Sequence, residues 1–240
     1  MKLEQVLAAW RGGIIVSCQA EAGSPLAHPA IIAALAQTAE RNGAVGVRID
    51  GPGNIHAVRE VVTVPVLGIE KTTHKDSDVY ITPTYEAAAR VVASGADVIA
   101  LDATSRPRPN GETLPKIIER IKMDLKCPVM ADVATEREGV WAIEEAGANI
   151  VGTTLSGYTA ETADRKDEPD FSLIERLASR LSAPVICEGR VRQAEDVRRA
   201  FAAGAFAVVV GTAITNVDWL VRHFVAATPN VSKQTSAPGL

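Results

Sequence analysis

The chain repeats one short grammar four times: "NGAVGVRID", "SGADVIALD", "AGANIVGTT" and "AGAFAVVVG". Each copy follows a stretch of helical periodicity, turns at a Gly-Ala pair (Gly43, Gly95, Gly147, Gly204) and enters a short, largely β-branched run. A glycine there suits the left-handed position just past a helix C-terminus, where a Cβ is penalised. Successive turns lie roughly fifty residues apart, too far for one βα unit and about right for two. The strands missing from this count sit between them: "VPVLGIE", "CPVMADV" and "APVICEG", each opened by a proline that stops the preceding helix. With "GGIIVSCQ" at residues 12–19 the total is eight strands.

The intervals read as helices. "LPKIIERIKMDL" and "FSLIERLASRL" place apolar residues three and four apart with charges opposite, as helices covering a sheet do. The strands are almost continuously apolar, as in a parallel sheet buried on both faces. Eight alternating βα units predict a (β/α)8 TIM barrel, one domain over residues 1–227, with residues 228–240 as a flexible tail. A doubly wound open sheet is the rival architecture, but its nucleotide fingerprint is missing. "GPGNIHA" has His56 where the third glycine belongs and Pro52 inside the turn, and it reads as a loop entering a helix.

Composition narrows the function classes. The 240 residues are 47% hydrophobic and 22% charged, with a net charge of −4, which gives no reason to expect a nucleic-acid partner. Apolar runs such as "AFAVVVGTAI" fall short of the roughly 18 residues needed to cross a bilayer. "MKLEQVLAAWRGG" mixes acidic and basic residues and reads as a short amphipathic helix rather than a signal peptide. Three cysteines, Cys18, Cys127 and Cys187, an odd number lying in or beside apolar strands, suit buried thiols in a reducing cytoplasm. The four histidines lack the paired spacing of a metal site, so no metal is expected. Whether the barrel is a monomer or a homodimer is left open.

In a barrel, chemistry sits at the C-terminal ends of the strands. Those ends carry Gln19, Arg48 with Asp50, Lys71, Asp102, Asp132, Thr153 with Thr154, Glu188, and Gly211 with Thr212. A solvated rim would also be polar, so each has a plain alternative: a surface lysine, a structural ion pair for Arg48, a loop-capping aspartate. Side chains alternate along a strand, so Leu67, Ile69 and Lys71 share one side, as do Ile186 and Glu188. If that side is the interior, Lys71 and Glu188 meet above the packed layers.

The loops after the seventh and eighth strands carry a more specific signal. Barrels often bind a phosphoryl group there, with a short extra helix aiming its N-terminus at the anion. Gly189 in "CEGRV" and Gly211 in "VVVGTAITN" allow close backbone approach, Thr212 adds a hydroxyl, and "TAIT" is a candidate first turn of that helix. A phosphorylated small molecule is the expected ligand.

Seven segments, "GGIIVSCQA", "GVRIDG", "YITPT", "MADVAT", "VGTTLSGYT", "CEGRV" and "VVVGTAIT", together resemble, in order, the bacterial N-acetylmannosamine-6-phosphate 2-epimerases. The resemblance implies a cofactor-independent barrel of the ribulose-phosphate-binding type, acting in sialic acid catabolism. Such an enzyme interconverts N-acetylmannosamine 6-phosphate and N-acetylglucosamine 6-phosphate. By position it makes Lys71 the catalytic lysine and Glu188 the catalytic carboxylate. Gln19, Arg48 and Asp132 become sugar contacts, and Gly189, Gly211 and Thr212 the phosphate site. One departure stands out. After "GTAIT" the family commonly has an arginine followed by proline, and here Asn216-Val217 stand, without the charge or fork of a guanidinium. Arg190 is the candidate for the missing charge.

Inverting C2 means removing its hydrogen and returning one to the opposite face, which requires the ring to open so that an aldehyde acidifies C2. Lys71 is then the expected base if desolvation lowers its pKa, Glu188 moves protons, and Arg48 is the expected stabiliser of charge on O1. Two rivals remain: a Schiff-base aldolase using Lys71, and a catalytically silent phosphosugar-binding barrel.

Overall fold

A computed structural model describes residues 1–165 and 167–229. Eight strands form a closed parallel barrel in sequence order, the eighth pairing with the first. They are β1 (Ile14–Cys18), β2 (Gly46–Asp50), β3 (Val66–Ile69), β4 (Val98–Asp102), β5 (Val129–Asp132), β6 (Ile150–Gly152), β7 (Val185–Cys187) and β8 (Ala207–Val210). The helices are α1 (Leu3–Trp10), α2 (Pro29–Arg41), α3 (Pro52–Arg59), α4 (Tyr85–Ala93), α5 (Leu114–Arg120), α6 (Glu136–Glu144), α7 (Phe171–Arg180), α8 (Ala194–Ala202) and α9 (Val217–Ala226). The fold is the TIM barrel that the repeat dictates. All four repeat glycines have positive φ, from 84° to 104°, as the left-handed exit from a helix requires. The tail expected at 228–240 lies, from residue 230 onward, outside the described residues.

Local chemistry explains the boundaries. Pro52 occupies the first turn of α3, so "GPGNIHA" is the helix itself, entered through Gly51 at φ +89°. Thr135 and Glu138 form a reciprocal cap at α6, the hydroxyl accepting from the Glu138 N–H and the carboxylate accepting from the Thr135 N–H. The segment expected as one helix over 114–125 changes character part-way. α5 ends at Arg120, a π-type turn follows over Ile121–Leu125, and Lys126 stops it at φ +54°.

Strand alternation sorts the core into two regions. Val16, Cys18, Val47, Ile49, Ile99, Leu101, Val129 and Ala131 face outward and pack beneath the helices. Ile15, Leu67, Ile69, Ala100, Met130, Ile150, Ile186 and Val209 point inward and fill the barrel. α1 closes the N-terminal end with Val6 and Trp10, both wholly buried against the interior residues. A Cβ on Gly46 would lie 2.4 Å from the Trp10 indole nitrogen, so only glycine lets this side chain plug the barrel floor.

At the other end, the polar stretch after β3 folds back on itself. Lys71 bridges Ile81 in antiparallel fashion, the Thr72 N–H donates to the Tyr80 carbonyl at 3.0 Å, and the Thr82 N–H donates to the Glu70 carbonyl at 2.9 Å. Thr82 sits at φ +44° and donates its hydroxyl to the Ala100 carbonyl. The hairpin drops Ile81 onto the interior layer and packs Tyr80 against the same layer. A strand ending on a lysine with a long loop behind it is therefore the wall of the barrel mouth. The "TAIT" segment makes a single turn, with Ile214 and Thr215 N–H groups donating to the Gly211 carbonyl, and α9 begins only after Asn216.

Candidate active site at the mouth of the barrel

Inward-facing positions above the apolar layers carry the charges. Arg48 pairs in register with Ser17 of β1 and Leu67 of β3, so its side chain rises inside the barrel although Val47 and Ile49 face the helices. It is 1% exposed. Nη2 donates to Asp132 Oδ2 at 2.6 Å, and Nη1 donates to Glu188 Oε2 at 2.8 Å and to Asp132 Oδ1 at 3.3 Å. Nε is buried with no hydrogen-bond partner. Thr154 adds its hydroxyl to Asp132 Oδ1 at 2.6 Å.

Asp132 is wholly buried, accepts from Arg48 and Thr154, and is not among the residues that line the cleft. Arg48 reaches the cleft floor, with most of its N–H groups committed to two carboxylates. Asp102 is also buried; it takes Arg106 at 2.6 Å and the Thr104 hydroxyl at 2.6 Å, organising the loop after β4.

Above this floor opens a cleft of about 650 Å³, a volume suited to a small ligand. Lys71 and Gln19 form one wall: Lys71 Nζ donates to Gln19 Oε1, and Gln19 Nε2 donates to Ser17 Oγ at 2.7 Å. Asp50 supports the same lysine, accepting its backbone N–H at 2.9 Å and approaching Nζ at 3.8 Å. The Lys71 side chain is 41% exposed, and the water it meets is cleft water that a bound sugar would displace. Desolvation by the cleft walls lowers its pKa below the usual lysine value; Asp50 opposes that shift and Arg48 reinforces it.

Glu188 stands opposite. Burial pushes its carboxyl up to about 7 against the pull of Arg48, and Asp132 adds to the rise. Thr153 fixes the backbone there, accepting the Glu188 N–H and donating to the Glu188 carbonyl.

The glycine loops line the far end of the cleft. Gly189 (φ +105°) and Arg190 (φ +59°) make consecutive left-handed residues, a conformation that costs a non-glycine residue about 1–3 kcal/mol and clusters at ligand sites. Among the described residues, the N–H groups of Gly189, Arg190, Val191 and Thr212 have no hydrogen-bond partner. All four residues line the cleft with Gly211, and together they form an N–H-rich cradle of the kind that suits an anion. The Arg190 guanidinium donates to the Ser156 and Glu168 carbonyls, so it braces the loop after β6 while keeping a positive charge at this end. Asn216 also lines the cleft, but its Oδ1 accepts the Trp219 N–H and caps α9.

Comparison with known proteins identifies the family. Residues 32–230 match the model of the NanE family, described as "Putative N-acetylmannosamine-6-phosphate epimerase". The chain belongs to this family. A relative from Synechococcus elongatus, named "Putative N-acetylmannosamine-6-phosphate 2-epimerase", is 49% identical, over 95% of this chain and 98% of that protein. One of the same name from Thermosynechococcus vestitus is 50% identical, over 90% of this chain and 93% of that protein. A solved structure described as the N-acetylmannosamine-6-phosphate 2-epimerase from Clostridium perfringens superposes with a TM-score of 0.88 at 37% identity, covering 92% of this chain and 96% of that chain.

The fold brings Gln19, Arg48, Lys71, Glu188, Gly189, Gly211 and Thr212 to one cleft and leaves Asp132 beneath it. Sequence reasoning passed over Ser17 and the Asp50 contact to Lys71, although strand alternation puts Ser17 on the same side as Ile15 and Gln19. It also gave no part to Tyr80, which lines the cleft from a loop with no periodicity to mark it.

Proposed function

We propose that this chain is an N-acetylmannosamine-6-phosphate 2-epimerase, acting on the open-chain sugar with Lys71 and Glu188 as its two proton-handling groups. The observation that carries this reading is their placement. Lys71 follows β3 and Glu188 follows β7, strands four apart in a ring of eight and so on opposite sides of the mouth. A two-base epimerisation uses that: one group takes the C2 proton from one face and the other supplies a proton to the opposite face. The two form no ion pair with each other among the described residues, so each is free to hold its own proton.

In the direction from N-acetylmannosamine 6-phosphate, the neutral Lys71 amine removes the C2 proton, and the C2–H electron pair moves into an enolate on O1. The Glu188 carboxylic acid then protonates C2 from the other side. This leaves an ammonium and a carboxylate, which reset by exchange with solvent or by the reverse reaction. Burial favours the starting state of both groups, since it disfavours each charged form. Gln19 and Asp50 fix the position of the amine. The loops with Gly189, Gly211 and Thr212 hold the phosphoryl group, where free N–H groups and the Arg190 charge stand in for an arginine at position 216. Grip on this remote end holds C2 in register between the two side chains.

The test is proton NMR of N-acetylmannosamine 6-phosphate with the purified protein in heavy water. Appearance of N-acetylglucosamine 6-phosphate carrying deuterium at C2 is expected. Product without label rules out exchangeable proton transfer, and no product at all rules out the epimerase.

A further inference from the structure

Charge that leaves C2 collects on O1, and the donors most expected to meet it are largely in use. Arg48 is committed to Asp132 and Glu188, Lys71 is the base, and one of the two Gln19 amide N–H groups goes to Ser17. The Thr154 hydroxyl goes to Asp132. Tyr80 differs from all of these. It lines the cleft, is half-buried against the barrel interior, and its hydroxyl has no hydrogen-bond partner among the described residues. That hydroxyl is also absent from the sealed polar atoms, so it opens on the cleft.

The hairpin after β3 is what puts it there. The Tyr80 carbonyl is tied to the Thr72 N–H, the next residue bridges Lys71, and Tyr80 and Lys71 both line the cleft. Ile81, 2% exposed, anchors the returning arm in the interior layer. The phenol lies within the fields of Asp132, Asp102, Arg48 and Arg106, which places it above the charged floor. Tyr158 is the other cleft tyrosine, but it is 55% exposed and sits under the Arg190 guanidinium at the phosphate end.

We infer that the Tyr80 hydroxyl is the hydrogen-bond donor that meets O1 of the opened sugar as the enolate forms. The inference rests on the epimerase reading and adds a residue to it. Donation does not require the phenol to ionise. The proton stays on Tyr80 while Lys71 and Glu188 carry the two transfers, and burial, which pushes the phenol up to about 12, keeps it a neutral donor throughout the working range. A preorganised donor at a developing oxyanion is worth about 10²–10³-fold in turnover.

Tyr80→Phe is the test, measured beside the unaltered protein on N-acetylmannosamine 6-phosphate. The hydroxyl bonds nothing in the free protein, so its removal leaves the melting temperature unchanged. A fall in kcat of about 10²–10³-fold is expected, with KM shifted by less than about threefold, since O1 carries charge mainly in the transition state. The isotope effect with substrate deuterated at C2 rises in the variant, because proton abstraction becomes more nearly rate-limiting; a merely structural loss would not produce this. A variant that keeps kcat within about threefold of the parent, or loses only KM, overturns the inference. If the unaltered protein itself shows no epimerisation, the failure belongs to the functional reading instead.

Discussion

Arg48 Nη1 donates to Glu188 Oε2 across 2.8 Å, from a side chain that is 1% exposed. The same guanidinium holds Asp132 from Nη2, so one cation inside the barrel neutralises two carboxylates drawn from β5 and the end of β7. Arg48→Met leaves both carboxylates buried without their partner, an uncompensated burial that costs about 3–5 kcal/mol. Urea melts should show that loss at neutral pH together with loss of turnover. Arg48→Lys should recover part of the stability but little of the activity, because an ammonium cannot bridge two carboxylates as a fork does.

Lys71→Ala should abolish epimerisation while leaving the fold intact, since its ammonium opens on cleft water and contributes little to packing. Binding of N-acetylglucosamine 6-phosphate, followed by calorimetry, should survive within about tenfold, because the phosphate cradle lies on other loops. Substantial residual turnover in this variant would take the lysine out of the mechanism.

The pH dependence follows from two opposed shifts. In the proposed reaction Glu188 must be protonated to deliver its proton, and its acid form is lost as pH rises through about 7. Lys71 must be neutral to accept one, and its neutral fraction grows as pH rises toward its lowered pKa. The profile of kcat/KM should therefore be a bell, with one limb near neutrality that disappears in Glu188→Gln. Stability carries the same signature. A carboxyl raised above its unfolded value of 4.5 contributes stability below that pH and loses it as pH climbs through about 7. Across that interval the stability of the parent should fall relative to that of Glu188→Gln, as thermal melts in matched buffers can show.

At the other end of the barrel, Trp10 is wholly buried against Gly46 and the interior layer. Trp10→Ala should cost about 3–5 kcal/mol through the void it leaves. With the cleft at the opposite end, kcat at a temperature where the variant remains folded should stay near that of the parent. A large loss of kcat there would mean that the floor and mouth of the barrel are coupled.

The sequence by itself determined the architecture, because the repeat is written in local chemistry. The glycines at 43, 95, 147 and 204 and the prolines before β3, β5 and β7 punctuate helix and strand wherever they occur, and continuous apolar runs leave a parallel sheet little choice but to be covered. It also determined which strand ends carry ionisable groups, and alternation along "PVLGIEK" put Lys71 on the side of Leu67 and Ile69, a side that only the closed barrel shows to be the interior. Only the tertiary structure decided how those groups divide their work. That Arg48 is committed to Glu188 and Asp132, that Asp132 stays out of the cleft lining, and that Tyr80 joins Lys71 in that lining all depend on side chains from strands and loops far apart in the chain. Hydrogen bonds and desolvation between such groups are set by distances of a few ångströms, and those exist only once the barrel has closed.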